Sequence, residues 1–290
     1  MRYGTGVALV IAAGVVWSLQ GLIFRQIGAA GPWAVLAWRS LGMVPVLLGF
    51  LAWRAGGSPL PAIRRVGLAG VLGGVGLIGA FAGTIFAVQA ATIANAMFLF
   101  AAAPFLAAML GWAILGERVA PRTWGSILIA LLGIAVMVGG SLAEDALAGN
   151  LAALVAALGF AVFTVMLRWG RLNDTLPSVL LGGLFSIAVG ALAAGWFGQA
   201  LAVPAPDALW SMLMGAATLS GGMVLYTLGS RVVPAAELVL LSNVEVMLAP
   251  LWVWLLLGET ASVSTLLGGA ILLAAVVFNG LAGARRSARA

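Results

Sequence analysis

Ten apolar runs of about twenty residues each take up most of this chain and dictate what it can become. They lie near residues 6–24, 32–53, 66–87, 92–115, 123–140, 149–167, 178–197, 208–228, 235–257 and 263–281, separated by Arg, Pro and Gly clusters. A helix rises 1.5 Å per residue, so roughly twenty residues cross the ~30 Å hydrocarbon core of a bilayer. The runs are apolar all round and too long for the alternating strands of a membrane β-barrel. The expected fold is all-α, a polytopic membrane protein with ten transmembrane helices. Of the 290 residues, 63% are hydrophobic and 8% charged, against about 25% charged in soluble domains. That surface cannot face water, which excludes a soluble enzyme and a disordered chain alike.

What is missing narrows the chemistry. The chain has no cysteine, hence no disulfide, thiol nucleophile or thiolate metal site. It has no histidine, the usual proton shuttle and metal ligand. All fourteen basic residues are Arg, so Schiff-base chemistry is excluded, and no cofactor is expected. The net charge of +6 does not point to nucleic acid, because most arginines sit in short loops. With the N-terminus cytoplasmic, the inner side holds Arg2, Arg54, Arg64, Arg65, Arg118, Arg122, Arg168, Arg171, Arg231, Arg285, Arg286 and Arg289. The outer side holds Arg25 with Glu144, Asp145, Asp207 and Glu259. That bias places both termini in the cytoplasm. The first span, which lacks a small-residue cleavage site, reads as a retained helix. Trp33, Trp53, Trp124, Trp169, Trp196 and Trp210 fall at span ends, where aromatic belts form. Trp17, Trp112, Trp252 and Trp254 lie deeper.

The chain also resembles itself. Leu115-Gly116-Glu117 closes the fourth run and Leu257-Gly258-Glu259 the ninth, 142 residues later. At that offset Trp112 meets Trp254, Gly73 meets Gly215, Gly79 meets Gly221 and Ala94 meets Ala236. At offset 143 Gly6 meets Gly149, Ala13 meets Ala156, Trp17 meets Phe160 and Arg25 meets Arg168. The expected organisation is two five-helix repeats, residues 1–142 and 143–284, with a basic cytoplasmic tail at 285–290. Five is odd, so the second unit enters from the opposite face and the halves are inverted. Inverted repeats build carriers whose site lies near the midplane between them.

With these features the chain resembles the drug/metabolite transporter superfamily, EamA type, over essentially its whole length. The family's repeat is similar to Ala94–Glu117, with Pro104 thirteen residues before Glu117. The second half keeps the tripeptide but has Val246 at the matching position and Pro250 instead. Within the family it most resembles the YddG-type exporters of aromatic amino acids. The resemblance implies a secondary transporter of small organic metabolites in a bacterial inner membrane. It further implies export of aromatic and neutral amino acids, by a monomer or weak homo-oligomer whose partners are its small-molecule substrate and the lipid bilayer.

Ionisable residues at the centre of a span cost about 2.5–3.5 kcal/mol on insertion scales, so each is a site candidate. Arg39, Glu237 and Glu245 qualify as coupling or ion-pair groups. Glu237 sits near the inner start of the ninth run, matching Asn95 of the first half. Glu245 lies mid-span with Ser242 and Asn243, and is either a titrating or amine-binding group or a carboxylate that locks helices. Arg39 snorkels to the surface, clamps a substrate carboxylate, or pairs with Glu245. Trp17 and Gln20 share one helix face with Phe24, opposite the counterpart stripe Phe160 and Phe163. Both stripes are expected to face a central substrate space, although packing explains such spacing equally well. Tyr226 is a further candidate. Gly70, Gly74, Gly79 and Gly83 offer small faces for close helix packing, and Pro45, Pro104 and Pro250 interrupt spans.

Competing classes fit less well. Small multidrug exporters of the superfamily use an acid in the first helix, and here that helix has none. Phosphate-bearing substrates call for several buried cations. A membrane enzyme needs clustered His, paired Asp or a metal site. Efflux of other amphipathic metabolites or drugs stays open, as does a passive uniporter or channel.

Overall fold

In hydrocarbon a backbone must satisfy its own donors and acceptors, and an all-apolar run does so by coiling into a helix. The computed structural model describes residues 2–140, 144–172, 174–233, 238, 241 and 244–287, with the backbone alone at 144–146 and 280–287. Every regular element among the described residues is helical. Eight helices are long and apolar enough to cross a membrane: α1 (Tyr3–Phe24), α2 (Pro32–Ala55), α3 (Gly67–Ala90), α4 (Ile93–Leu115), α5 (Pro121–Gly139), α6 (Leu147–Trp169), α7 (Leu176–Trp196) and α8 (Ala205–Gly229). The last two runs carry the shorter apolar helices α9 (Val244–Leu257) and α10 (Val263–Asn279). Residues 234–237, 239–240 and 242–243 of the expected ninth run lie outside the described residues.

The repeated tripeptide is a helix stop. Gly116 ends α4 at φ 66° and Gly258 ends α9 at φ 68°, left-handed values that cost glycine nothing. The next N–H then reaches back to an otherwise orphaned carbonyl, Glu117 to Gly111 and Glu259 to Val253, each at 3.2 Å. Both glutamates are therefore aimed by the same cap. Among the described residues three spans are interrupted inside: α1 at Leu19, α4 at Ala101–Ala102 just before Pro104, and α8 through a π-helical stretch, Met214–Ser220. Pro45 and Pro250 sit within continuous helices.

Glycine sets how closely the helices approach. A Cβ at Gly83 would lie 2.6 Å from the Ala152 carbonyl oxygen, and one at Gly76 would lie 2.8 Å from that of Gly159. α3 and α6 thus touch backbone to backbone. Gly74 does the same toward α7, with a Cβ there falling 3.1 Å from the Gly182 nitrogen. The glycines of α3 consequently serve packing inside one chain. α5 and α10 meet at Gly133 and Gly268. α1 packs on α8 and α9, while α6 packs on α3 and α4; α2 contacts α7 and α8, while α7 contacts α2 and α3.

Outward faces are apolar, with Leu68, Leu128, Leu132, Leu192, Leu256 and Phe278 all exposed. Such a surface suits lipid tails. Trp53 and Trp196 are 75% and 86% exposed, as belt residues should be. Trp33, at the start of α2, is half-buried, edge-on to Phe86 and stacked on Phe197 at 6.0 Å. Trp112 and Trp254, matched across the repeat, both face outward.

Adding bulk at the α3–α6 seam should be costly. Gly159→Val forces backbone against backbone and should destabilise by about 1–3 kcal/mol. Gly125→Ala, which meets nothing within 4 Å, should be neutral or slightly stabilising. Thermal unfolding of the detergent-solubilised protein reads both.

Candidate functional site

Helical spacing delivers four stripes of side chains to one central space. Trp17, Gln20 and Phe24 come from α1; Leu77, Phe81, Thr84 and Val88 from α3; Ile93, Met97 and Phe100 from α4; and Met214, Leu219 and Met223 from α8. Within each of the first three stripes the intervals are three or four residues, one face of a helix. Arg39 from α2, Phe160 from α6 and Glu245 from α9 complete the wall. The cavity measures about 150 Å³, and helices from both ends of the sequence build it.

Aromatic and aliphatic carbon dominates the wall, so each polar group stands out. Thr84 returns its hydroxyl hydrogen to the Ala80 carbonyl at 2.8 Å. The Trp17 indole N–H donates to the Leu219 carbonyl at 3.4 Å. Among the described residues, Gln20 and Glu245 bond to nothing. Arg39 is 3% exposed, and its Nε and Nη2 have no hydrogen-bond partner. Its guanidinium carbon stands 4.8 Å from the Phe81 ring centre, a cation–π contact.

Arg39 is fixed by the π-helical stretch of α8. The wider turn brings Met214 and Leu219 to the cavity wall, and π segments often occupy functional positions. Local hydroxyls bond to its carbonyls: Thr218 Oγ1 donates to the Met214 carbonyl at 2.5 Å and Ser220 Oγ lies 3.0 Å from that of Gly215. Ser220 also reaches the Met43 carbonyl of α2 at 3.2 Å. Gly215 lies directly on the Arg39 backbone, where any Cβ would overlap the Arg39 carbonyl.

Of the residues singled out by sequence, Trp17, Gln20, Arg39 and Glu245 meet at this cavity. Phe163 and Tyr226 stand one layer behind it. Phe163 backs Phe160 with ring centres 5.7 Å apart, and Tyr226 backs Trp17 at 5.6 Å. Asn95 is buried elsewhere, bonded to Asn150 of α6 and accepting from Thr265 of α10 at 3.4 Å. Glu237, Ser242 and Asn243 lie outside the described residues. Sequence reasoning missed Phe81, Thr84, Met97, Phe100, Met214 and Met223, because helices apolar on every side do not reveal which face turns inward.

Ion pairs hold the ends of the bundle. Arg25 Nε meets Glu259 Oε2 at 2.8 Å, and its other nitrogens donate to the Val88 and Ala91 carbonyls at 2.8 and 3.1 Å. Glu259 also accepts from the Ile93 N–H at 2.7 Å. Nearby, the Asp207 carboxylate accepts from the backbone of Gly28, Ala29 and Ala30. α2 runs about 36 Å from this end to the other at 1.5 Å per residue. There Arg54 pairs with Asp174, and Arg168 Nη1 pairs with Glu117 Oε2 at 2.7 Å.

A polytopic helical protein with an apolar, sparsely polar chamber between its helices is built to carry small molecules. The sequence profile of the EamA-like transporter family matches residues 4–139 and again residues 147–281. The chain belongs to the EamA-like transporter family, whose members are membrane transporters and not enzymes. A crystal structure at 19% sequence identity shares the fold, with a TM-score of 0.63 over 95% of this chain and 96% of its own. No curated protein matches the sequence.

The contact beneath Arg39 can be tested by one methyl group. Gly215→Ala pushes α8 off the Arg39 backbone and should lower both thermal stability and transport. Gly221→Ala, on the same helix with nothing within 4 Å, should leave both unchanged. Equal behaviour of the two variants would remove the π stretch from the support of the site.

Proposed function

We propose that this protein exports aromatic and other neutral amino acids across the bacterial inner membrane by alternating access through the central cavity. The observation that carries the reading is the wall: Trp17, Phe81, Phe100 and Phe160 around an apolar space with a few unbonded polar groups. Such a lining favours a flat hydrophobic side chain and a small polar head. The resemblance to aromatic amino-acid exporters points the same way.

The moving bodies in this reading are two inverted five-helix repeats, residues 1–142 and 143–284, with both termini in the cytoplasm. Helix pairings support it, because they come in exchange-related sets: α3 with α6 answers α8 with α1, and α2 with α8 answers α7 with α3. The end ion pairs support it too. Arg25 and Arg168 correspond at offset 143, Glu117 and Glu259 at offset 142. Each arginine pairs with the glutamate of the other repeat, Arg25 with Glu259 and Arg168 with Glu117. One pair then fastens the halves on the outer side and its counterpart does so on the inner side. Rocking requires the two to release in turn, so that the cavity meets one side at a time.

Uptake of labelled phenylalanine and tryptophan into proteoliposomes tests the substrate. Saturable flux is expected, and Gln20→Ala should reduce it severalfold without lowering membrane insertion. No flux of either amino acid would overturn the aromatic assignment and leave efflux of other amphipathic metabolites. Repeating the assay under a pH gradient separates the roles of Glu245: a gradient effect that disappears in Glu245→Gln marks it as the coupling group.

The fastenings have their own test. Glu117→Arg should slow transport by placing two cations together, and adding Arg168→Glu should restore at least half of the loss. Failure of the exchanged pair to recover flux would show that the contact is not a working latch.

A further inference from the structure

Two opposite charges share the wall of one apolar chamber without meeting. Arg39 and Glu245 both line the cavity, yet no ion pair joins them among the described residues. Arg39 does not snorkel either, being 3% exposed at a point about 10 Å into α2. Its charge rests against the Phe81 ring at 4.8 Å, a contact that uses none of its N–H groups. Nε and Nη2 are left buried and unbonded.

Holding a guanidinium in this condition is costly. A buried charge is tolerated where an anion meets it, and unsatisfied donors carry their full desolvation cost. A leucine at this position would pack at no such expense. A guanidinium presents five donors in a rigid fork that matches a carboxylate edge to edge. Glu245 supplies the complementary pole, an acceptor-only carboxylate that suits an ammonium group. The rings of Trp17, Phe100 and Phe160 line the same cavity.

We infer that Arg39 receives the carboxylate of the transported molecule and Glu245 its ammonium group, so that the cavity selects zwitterions with an apolar body. The assignment rests on the reading of this cavity as the substrate site. It explains why neither charge is neutralised by an ion pair among the described residues: each is completed by the cargo. Amines lacking the carboxylate leave Arg39 bare, and acids lacking the amine leave Glu245 bare. Both are rejected because a buried site group would go unpaired.

Ligand-induced thermal stabilisation of the purified full-length protein in detergent tests this with matched compounds: phenylalanine, phenethylamine and 3-phenylpropionate, then tryptophan and tryptamine, then leucine and isopentylamine. In the wild type each zwitterion should bind about tenfold or more tightly than its truncated partners, as loss of a charge-assisted bond predicts. Arg39→Gln should bring phenylalanine down to the level of phenethylamine, with Arg39→Lys falling between. Glu245→Gln should bring it down to the level of 3-phenylpropionate. Phenethylamine binding the wild type as well as phenylalanine would overturn the assignment, and so would a preference that survives Arg39→Gln. The wild-type comparison decides the matter alone if a variant fails to fold. Discrimination with leucine but no transport of phenylalanine or tryptophan would sink the aromatic substrate and leave the two-pole receptor standing. No stabilisation by any zwitterion of the set would sink the receptor itself.

Discussion

Hydrocarbon offers no hydrogen-bond partner, and several departures from regular helix among the described residues are settled against that fact. Where α8 widens into its π turn, Thr218 and Ser220 turn their hydroxyls onto the Met214 and Gly215 carbonyls of the same turn. Where α4 and α9 stop, a left-handed glycine folds the next N–H back onto the helix. Where loops turn at one end, Asp207 gathers three backbone N–H groups at once. Irregular backbone survives at depth only when protein groups satisfy it. Against that background a buried guanidinium with two unbonded nitrogens stands out among the unpartnered groups, because it sits on the cavity wall.

Close packing and the cavity are two sides of one arrangement. Lipid tails are as apolar as leucine, so helices associate through shape and close approach, not through expulsion of water. Gly76, Gly83 and Gly159 let α3 and α6 touch backbone to backbone. Gly42 and Gly215 bring α2 and α8 together, with Met212 and Arg39 carbonyls where side chains would otherwise be. Large side chains are displaced from these seams toward the middle, where Phe81, Phe100, Phe160 and Met214 surround open space. The same glycines that tighten the periphery hold the chamber in shape.

Much of this was legible in the sequence because hydrocarbon makes its demands locally. Span length and all-round apolarity mark ten runs, of which eight carry helices long enough to cross a membrane and two carry shorter apolar helices among the described residues. Charges at depth are expensive, so Arg39 and Glu245 stand out in a chain that is 8% charged. The stripe of Trp17 and Gln20 follows from helical spacing. The rest depended on distance in space. Phe163 and Tyr226 share faces with lining residues yet stand behind them, since a helix face is wider than the wall it contributes. Asn95 binds Asn150 and Thr265, partners 55 and 170 residues away. Arg25 pairs with Glu259 across 234 residues, a contact visible only in three dimensions. The π turn of α8 leaves no mark in its composition.

The proposed mechanism requires that one cavity is reached from each side of the membrane in turn. The chain has no native cysteine, so a single Met97→Cys on the cavity wall reports access without background. Its labelling by a membrane-impermeant maleimide, applied from either side of oriented vesicles, is the most direct measurement. Locking one end with a disulfide between Cys at positions 25 and 259 should abolish labelling from that side and leave labelling from the other. A cavity that stays reactive from both sides under the lock, or that loses reactivity from both, would contradict alternating access.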